Sequence, residues 1–150
     1  MTLHITKRDG TKEPFNADRI NKSIERACWG LTDPISKVTQ VATDTRLTLY
    51  DGISEEEMDE ATINAAVQNI KEDTEYDKIA TRLLLKTIYK KVIGDYGRDP
   101  HELEKKHREY FSAHIKKGVE QKFLDVRMAE KFDLEVLANA IDISRDELFV

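Results

Sequence analysis

Leu3-His4-Ile5-Thr6-Lys7-Arg8-Asp9-Gly10-Thr11-Lys12-Glu13-Pro14-Phe15-Asn16-Ala17-Asp18-Arg19-Ile20 decides how the chain begins to fold. Leu3 and Ile5 alternate with polar Thr2, His4 and Thr6, the period of a half-buried strand. Asp9-Gly10 supplies a turn, because glycine takes positive φ without steric cost. Glu13-Pro14-Phe15 returns as a short second strand, and Pro14, with no N–H to give, suits an edge or a strand end. Asn16 is a good N-cap, since its side chain can accept from a free N–H of the first helical turn. Ile20, Ile24, Ala27, Cys28 and Leu31 then share one helical face, and Gly30 helps to end that helix.

Working outward, Asp33-Pro34 opens a second helix with Val38, Val41, Ala42, Thr45 and Leu49 on its apolar side. It stops near Gly52, and Ile53 is a candidate third strand. Ser54 with Glu57 matches a capping box for a third helix, whose wide apolar face is Met58, Ala61, Ile63, Ala65, Ala66, Val67 and Ile70. Thr74 with Asp77 can cap a fourth, with Tyr76, Ile79, Ala80, Leu83, Leu84 and Ile88 inward and Gly94 and Gly97 at its end. Arg98-Asp99-Pro100 reads as a linker. Leu103, His107, Tyr110, Phe111, His114 and Ile115 make a fifth helix ended by Gly118, and short helices follow, with Asp133 and Ser144 as caps and Ser144 with Glu147 as a second capping box. The chain stops on Leu148-Phe149-Val150, apolar residues with nothing after them, the pattern expected of a cut inside a longer protein. The expected fold is therefore α+β and mostly α: a small sheet on a four-helix bundle over residues 1–97, then a helical extension over 98–150.

With 150 residues the chain can bury one core. A net charge of -5 argues against general nucleic-acid binding, which needs a basic surface, but leaves small phosphorylated ligands open. Cys28 is the one cysteine, so neither an internal disulfide nor a cysteine zinc site can form, and the usage fits a reducing cytoplasm. The first residues carry charges and no long apolar run, and no stretch approaches the roughly 20 apolar residues of a membrane helix.

Two basic clusters are candidates for chemistry. Lys7, Arg8 and Lys12 surround the hairpin turn, and Arg19 lies in the first turn of the next helix, where a cation opposes the macrodipole unless an anion is near. A triphosphate would supply that anion. Taken alone, solvated hairpin charge explains the cluster as well. Lys86, Lys90 and Lys91 lie near the end of the fourth helix, where ordinary dipole stabilisation is the simpler reading. His101, His107 and His114 lack the i, i+4 spacing of a helical zinc site, so no metal site is expected. Cys28, on an apolar face, reads as a core thiol.

The block from Ile5 to Ile20 resembles the opening of the ATP-cone domain found at the N-terminus of class I ribonucleotide reductase large (alpha) subunits, whose pattern runs hydrophobic, x, Lys-Arg-Asp-Gly, Glu, hydrophobic-Asn and Lys/Arg-Ile. Tyr50-Asp51-Gly52-Ile53, Ala80-Thr81-Arg82-Leu83-Leu84 and Tyr89-Lys90-Lys91 resemble later segments of the same family, in order and at matching spacing. The resemblance implies an allosteric switch on overall activity in deoxyribonucleotide synthesis, with ATP activating and dATP inhibiting, and with Mg²⁺ accompanying the nucleotide. By position, the nucleotide would be met by Ile5, Lys7, Arg8, Glu13, Asn16, Arg19, Ile20 and Lys90. Lys7, Arg8, Arg19 and Lys90 would neutralise phosphates, Ile5 and Ile20 would pack on the base, and Glu13 and Asn16 would bond the adenine edge or ribose. The implied partners are the radical-generating beta subunit and further copies of the full-length chain. The reductase chemistry needs several cysteines, which one core cysteine cannot supply, so these residues hold no catalytic site of their own.

The chain departs from the family at two places: Glu55 and Asp59 stand where Thr and His are frequent. Glu55, Glu56 and Glu57 suit a helix N-terminus but would repel phosphate unless Mg²⁺ intervened. Two other readings stay open: a cone-bearing transcriptional regulator of reductase genes, although that family carries a Cys₄ ribbon absent here, and a helical interaction module that binds no nucleotide.

Overall fold

β1 (His4–Thr6) is the middle strand of a three-stranded sheet and consumes both of its edges locally. On one side it pairs antiparallel with β2 (Lys12–Pro14), Ile5 opposite Glu13, and on the other parallel with β3 (Ile53–Ser54), Ile5 opposite Ile53. In this computed structural model residues 3–94 and 100–148 are described. Thr2, Gly97, Arg98-Asp99 and Phe149-Val150, all used in the sequence reading, lie outside them, as does the division expected at residues 97 and 98.

Each flanking strand runs directly into a helix. β2 leads through Asn16 into α1 (Ala17–Ala27), and β3 leads without a break into α3 (Glu55–Gln68). Both caps form: Asn16 Oδ1 accepts from the Asp18 N–H at 2.9 Å, and the Ser54–Glu57 box closes in both directions. α2 (Pro34–Thr48) starts from Asp33, and α4 (Glu75–Val92) completes the helical set. The turn before β3 is tied to β1 at three points: His4 N–H donates to Asp51 Oδ1 at 2.8 Å, Gly52 N–H donates to the His4 carbonyl at 2.8 Å, and Thr6 Oγ1 donates to the Gly52 carbonyl at 2.9 Å. Gly52 has φ +87°, so the tie needs glycine there.

Ile5, Ile20, Ile24, Cys28, Val41, Ile53, Met58, Ala66, Ile79 and Leu83 join sheet and helices in one core. The expected mostly helical α+β architecture is therefore present. Burial of Cys28 pushes its thiol pKa up to about 11, in keeping with a core thiol. Two apolar faces differ from expectation. α4 buries Tyr76, Ile79, Ala80 and Leu83, and also Thr81 and Leu85 on another side, so Leu84 falls between the two and is 36% exposed. On α3, buried Thr62 extends the inner face, and Val67 points outward.

The chain divides into two compact units, the first running through Thr87 and the second beginning at Ile88. In the second, α5 (Pro100–Glu120) packs with α6 (Arg127–Glu130) and α7 (Leu134–Asn139), and Ile115 and Ala138 are buried. Gly118 does not end α5. It is the point where the returning chain crosses, and a Cβ there would lie 2.7 Å from Leu124 Cδ1. Asp133 caps α7 as expected. In the last 3₁₀ turn (Ile143–Leu148) Asp142 rather than Ser144 holds the start, accepting from both the N–H and the hydroxyl of Ser144. A carboxylate directly ahead of the turn is the stronger acceptor.

Lys37 is a lysine within the first core, 4% exposed. Its Nζ reaches Asp73 Oδ2 at 2.8 Å, Glu75 Oε2 at 3.1 Å and the Thr32 carbonyl at 2.6 Å, which ties the start of α2 to the start of α4. Lys37→Met keeps the stem and loses the ammonium; we expect a loss of about 1–2 kcal/mol in urea unfolding at pH 7, a hydrogen-bonded charge being removed from partly solvated partners. The Asp73 pKa is lowered chiefly by Lys37, and that of Glu75 by Thr32 and then Lys37. Their contribution is present above the unfolded carboxylate range near pH 4 and is lost as pH falls through the lowered folded values. The gap between parent and variant should therefore narrow at pH 3, and an equal gap at both pH values would refute the assignment.

Candidate functional site

β2 and β3 lie on opposite sides of the three-residue β1, β2 ending beside His4 and β3 beside Thr6, which leaves a gap between the helix starts that follow. Arg19, in the first turn of α1, spans the gap: its guanidinium donates to Glu13 Oε1 on β2 at 3.1 Å and meets Glu55 Oε1, first residue of α3, at 3.2 Å. The Glu13 carboxylate also takes Lys7 Nζ at 2.6 Å. Glu13 thereby raises the Lys7 pKa above the usual lysine value, chiefly through their hydrogen bond. Arg8, further out on the hairpin, reaches Glu56 Oε1 at 3.1 Å. The anions that make Arg19 tenable at a helix start are thus supplied by the chain itself.

One turn further along, Ser23 on α1 and Asp59 on α3 are joined by a third helix. Lys86 of α4 donates to Ser23 Oγ at 2.8 Å and lies 3.7 Å from Asp59 Oδ1. Each position at which the sequence departs from the family therefore faces a cation, Glu55 on Arg19 and Asp59 on Lys86. Lys7, Arg8, Arg19 and Lys86 stand against Glu13, Glu55, Glu56 and Asp59, so these eight side chains balance one another in formal charge. Glu57 is occupied by the cap and by Tyr50: bonds from Ser54 first, then from the Tyr50 hydroxyl, lower its pKa.

Of the residues expected to meet a ligand, Lys7, Glu13 and Arg19 come together directly, and Arg8 joins them at the α3 start. Ile5 and Ile20 are 3% and 7% exposed and belong to the core. Asn16 is engaged as the α1 cap. Lys90 lies in the last turn of α4, in the second unit. Ser23 was not expected, since a serine inside an amphipathic helix carries no signal; Lys86 belonged to the second basic cluster, for which helix-end charge was the simpler reading, and it was not among the residues expected to meet the ligand. Among the described residues no three metal-ligating side chains come together, and no helix is long and apolar enough to cross a membrane.

Comparison with known proteins places the geometry in context. Residues 3–91 match the ATP cone domain family. A ribonucleoside-diphosphate reductase subunit alpha from Chlamydia muridarum is 32% identical over 150 residues, covering 99% of this chain and 14% of that protein. The proteins of the same name from Haemophilus influenzae (34% identical over 154 residues) and, as reductase 1 subunit alpha, from Escherichia coli (30% over 153) also match 99% of this chain and 18% of their own length. The chain thus spans less than a fifth of the length of these relatives.

Asn16 separates a structural role from a ligand role without any ligand present. Asn16→Ala should lower stability by about 1 kcal/mol through loss of the cap, seen as a lower urea midpoint at unchanged slope. Asn16→Asp, which keeps the acceptor, should recover most of it. Equal midpoints for parent and Asn16→Ala would remove the cap as the reason for this residue.

Proposed function

This chain belongs to the ATP-cone family, and on that premise we propose that it binds ATP and dATP, in competition, at the strip between the hairpin and the starts of α1 and α3. The observation that supports the reading best is the convergence of Lys7, Glu13, Arg19 and Glu55 from the hairpin, β2, α1 and α3 onto one another. Lys7 and Arg19 are half-exposed, and their ion pairs are of the surface kind, worth roughly 0–1 kcal/mol each, so a triphosphate with several charges can outbid them. The starts of α1 and α3, bridged by Arg19 and Glu55, each offer donors and a favourable dipole. Mg²⁺ would enter with the nucleotide, offsetting repulsion from the nearby carboxylates. Lys90 is included on the family resemblance.

Within a longer ribonucleoside-diphosphate reductase alpha subunit, the cone would act as the overall activity control of ribonucleotide reduction, in partnership with a beta subunit and by self-association. A change of effector can shift assembly only through different affinities for two assembly states. The catalytic cysteines would come from the remainder of such a protein.

Calorimetry and thermal shift with ATP and with dATP, each with Mg²⁺, test the reading. A ligand held only by the folded state must stabilise it, by about 2.7 kcal/mol at a hundred times Kd. We expect binding of both nucleotides and displacement of one by the other; no heat and no shift with either would end the proposal. Lys90→Glu should weaken binding at least about tenfold, a charge-assisted contact being replaced by a repelling charge. Lys116→Glu, on the exposed side of α5, is the control and should change little. Parent-like affinity in a folded Lys90→Glu protein would remove that lysine from the site.

A further inference from the structure

We propose that Glu55 is a built-in competitor for the nucleotide's phosphates: it occupies Arg19 in the empty cone, and its displacement sets how tightly a nucleoside triphosphate binds. The inference rests on the nucleotide site proposed above and goes beyond it in naming the residue that tunes affinity.

Three observations carry it. Glu55 is the most sheltered carboxylate of the strip, its side chain 17% exposed against 31% for Glu13 and 61% for Glu56. A charge held away from water interacts more strongly with a neighbouring anion than one on the open surface. Glu55 is also fixed in place by the backbone, as the first residue of α3 directly after β3, where the Ser54–Glu57 box locks the turn. It cannot move far from Arg19 while that turn is formed. Finally, capping does not need it: Ser54 and Glu57 close the box between themselves, so Glu55 can be changed without opening the cap. Its neighbour Glu13 holds both Lys7 and Arg19, and removing it would free both cations at once. Glu55→Gln leaves the pair of Lys7 with Glu13 in place.

A phosphate oxygen that takes the Arg19 guanidinium must replace the Glu55 oxygen or share the arginine with it. Sharing places two anions a few ångströms apart, and replacement leaves Glu55 beside the incoming phosphates. Both outcomes reduce affinity, and both are relieved when the carboxylate becomes a neutral amide of the same shape.

The test is calorimetric titration of the whole chain with ATP and with dATP in Mg²⁺, for the parent, Glu55→Gln, Glu60→Gln, Arg19→Gln and Arg19→Gln/Glu55→Gln, each checked for folding by thermal melting. Glu60, exposed on the same helix, controls for net charge. Glu55→Gln should bind both nucleotides about three- to tenfold tighter, the range of a sheltered surface charge interaction. Glu60→Gln should stay within about twofold of the parent, the screened effect of one distant charge. In the Arg19→Gln background the gain from Glu55→Gln should be clearly smaller than in the parent, because the contested cation is gone and only repulsion between Glu55 and the phosphates is left to relieve; an equal gain in both backgrounds overturns the competition for Arg19. Unchanged affinity in folded Glu55→Gln, with the parent binding normally, overturns this inference and leaves the nucleotide site standing. Weaker binding also overturns it, since Glu55 would then be a contact of the bound nucleotide. Tight binding by Glu55→Gln where the parent binds none supports it in its extreme form, and binding by neither protein removes the nucleotide site itself.

Discussion

The pairing of Ile5 with Glu13 on one side and Ile53 on the other is the constraint from which the site follows. A strand of three residues has little stability of its own. Here it is held because Ile5 and Ile53 are buried together and because Asp51 and Gly52 tie the incoming turn to His4. β2, antiparallel to β1, ends beside His4, and β3, parallel to it, ends beside Thr6; each is followed at once by a helix. The two helix starts fall on either side of this three-residue strand, and Arg19 reaches from one of them to Glu55 at the other. The sheet contributes little area, but it determines that Arg19 and the hairpin's Arg8 meet Glu55 and Glu56 instead of dispersing over the surface.

Charges placed in this way can be satisfied internally or by a ligand, and the balance depends on solvent. The Arg19 side chain is 56% exposed and that of Arg8 66%, so their pairs with Glu13 and Glu56 are open to water and add little to folding, while Glu55, 17% exposed, is the sheltered partner. Exchanging such partners costs little. A site whose internal pairs were buried would be rigid, and the energy of opening it would be subtracted from every ligand it bound. With these opposite charges set one against another, binding would be decided by contacts made at close range.

Much of this was legible in the chain because the devices are local. The hairpin turn, the Asn16 and Asp133 caps and the Ser54–Glu57 box each involve residues within four positions, so their chemistry can be read from spacing. The hairpin end of the site was legible for the same reason, and through resemblance to a family with the same block. What escaped depends on distant partners. Lys37 looks like a surface lysine until Asp73 and Glu75 are brought to it. Gly118 looks like a helix stop until Leu124 is seen packed against it. Leu84 and Leu85 cannot be ranked by periodicity when a helix is buried on more than one side. Glu55 and Asp59 could be noted only as departures, since nothing along the chain says that Arg19 and Lys86 lie opposite.

Three cations show how burial sorts like charges into unlike roles. Lys37 is almost wholly enclosed and is met by two carboxylates and a carbonyl; an ammonium there has no use for a further anion, and its loss is a loss of stability. Arg82 of α4 donates from one nitrogen to the carbonyls of Ala27 and Trp29, each at 2.9 Å, closing the C-terminal end of α1. Its partners are main-chain dipoles, which suit a cation at a helix end and cannot be displaced without fraying that end. Arg19 stands at the opposite end of the same helix, where the dipole disfavours it, and is held only by side-chain carboxylates in contact with water. Of the three it is the cation the fold stabilises least, and it would benefit most from a multiply charged anion. The end of α1 closed by Arg82 is structural, and the end opened by Arg19 is where binding chemistry can occur.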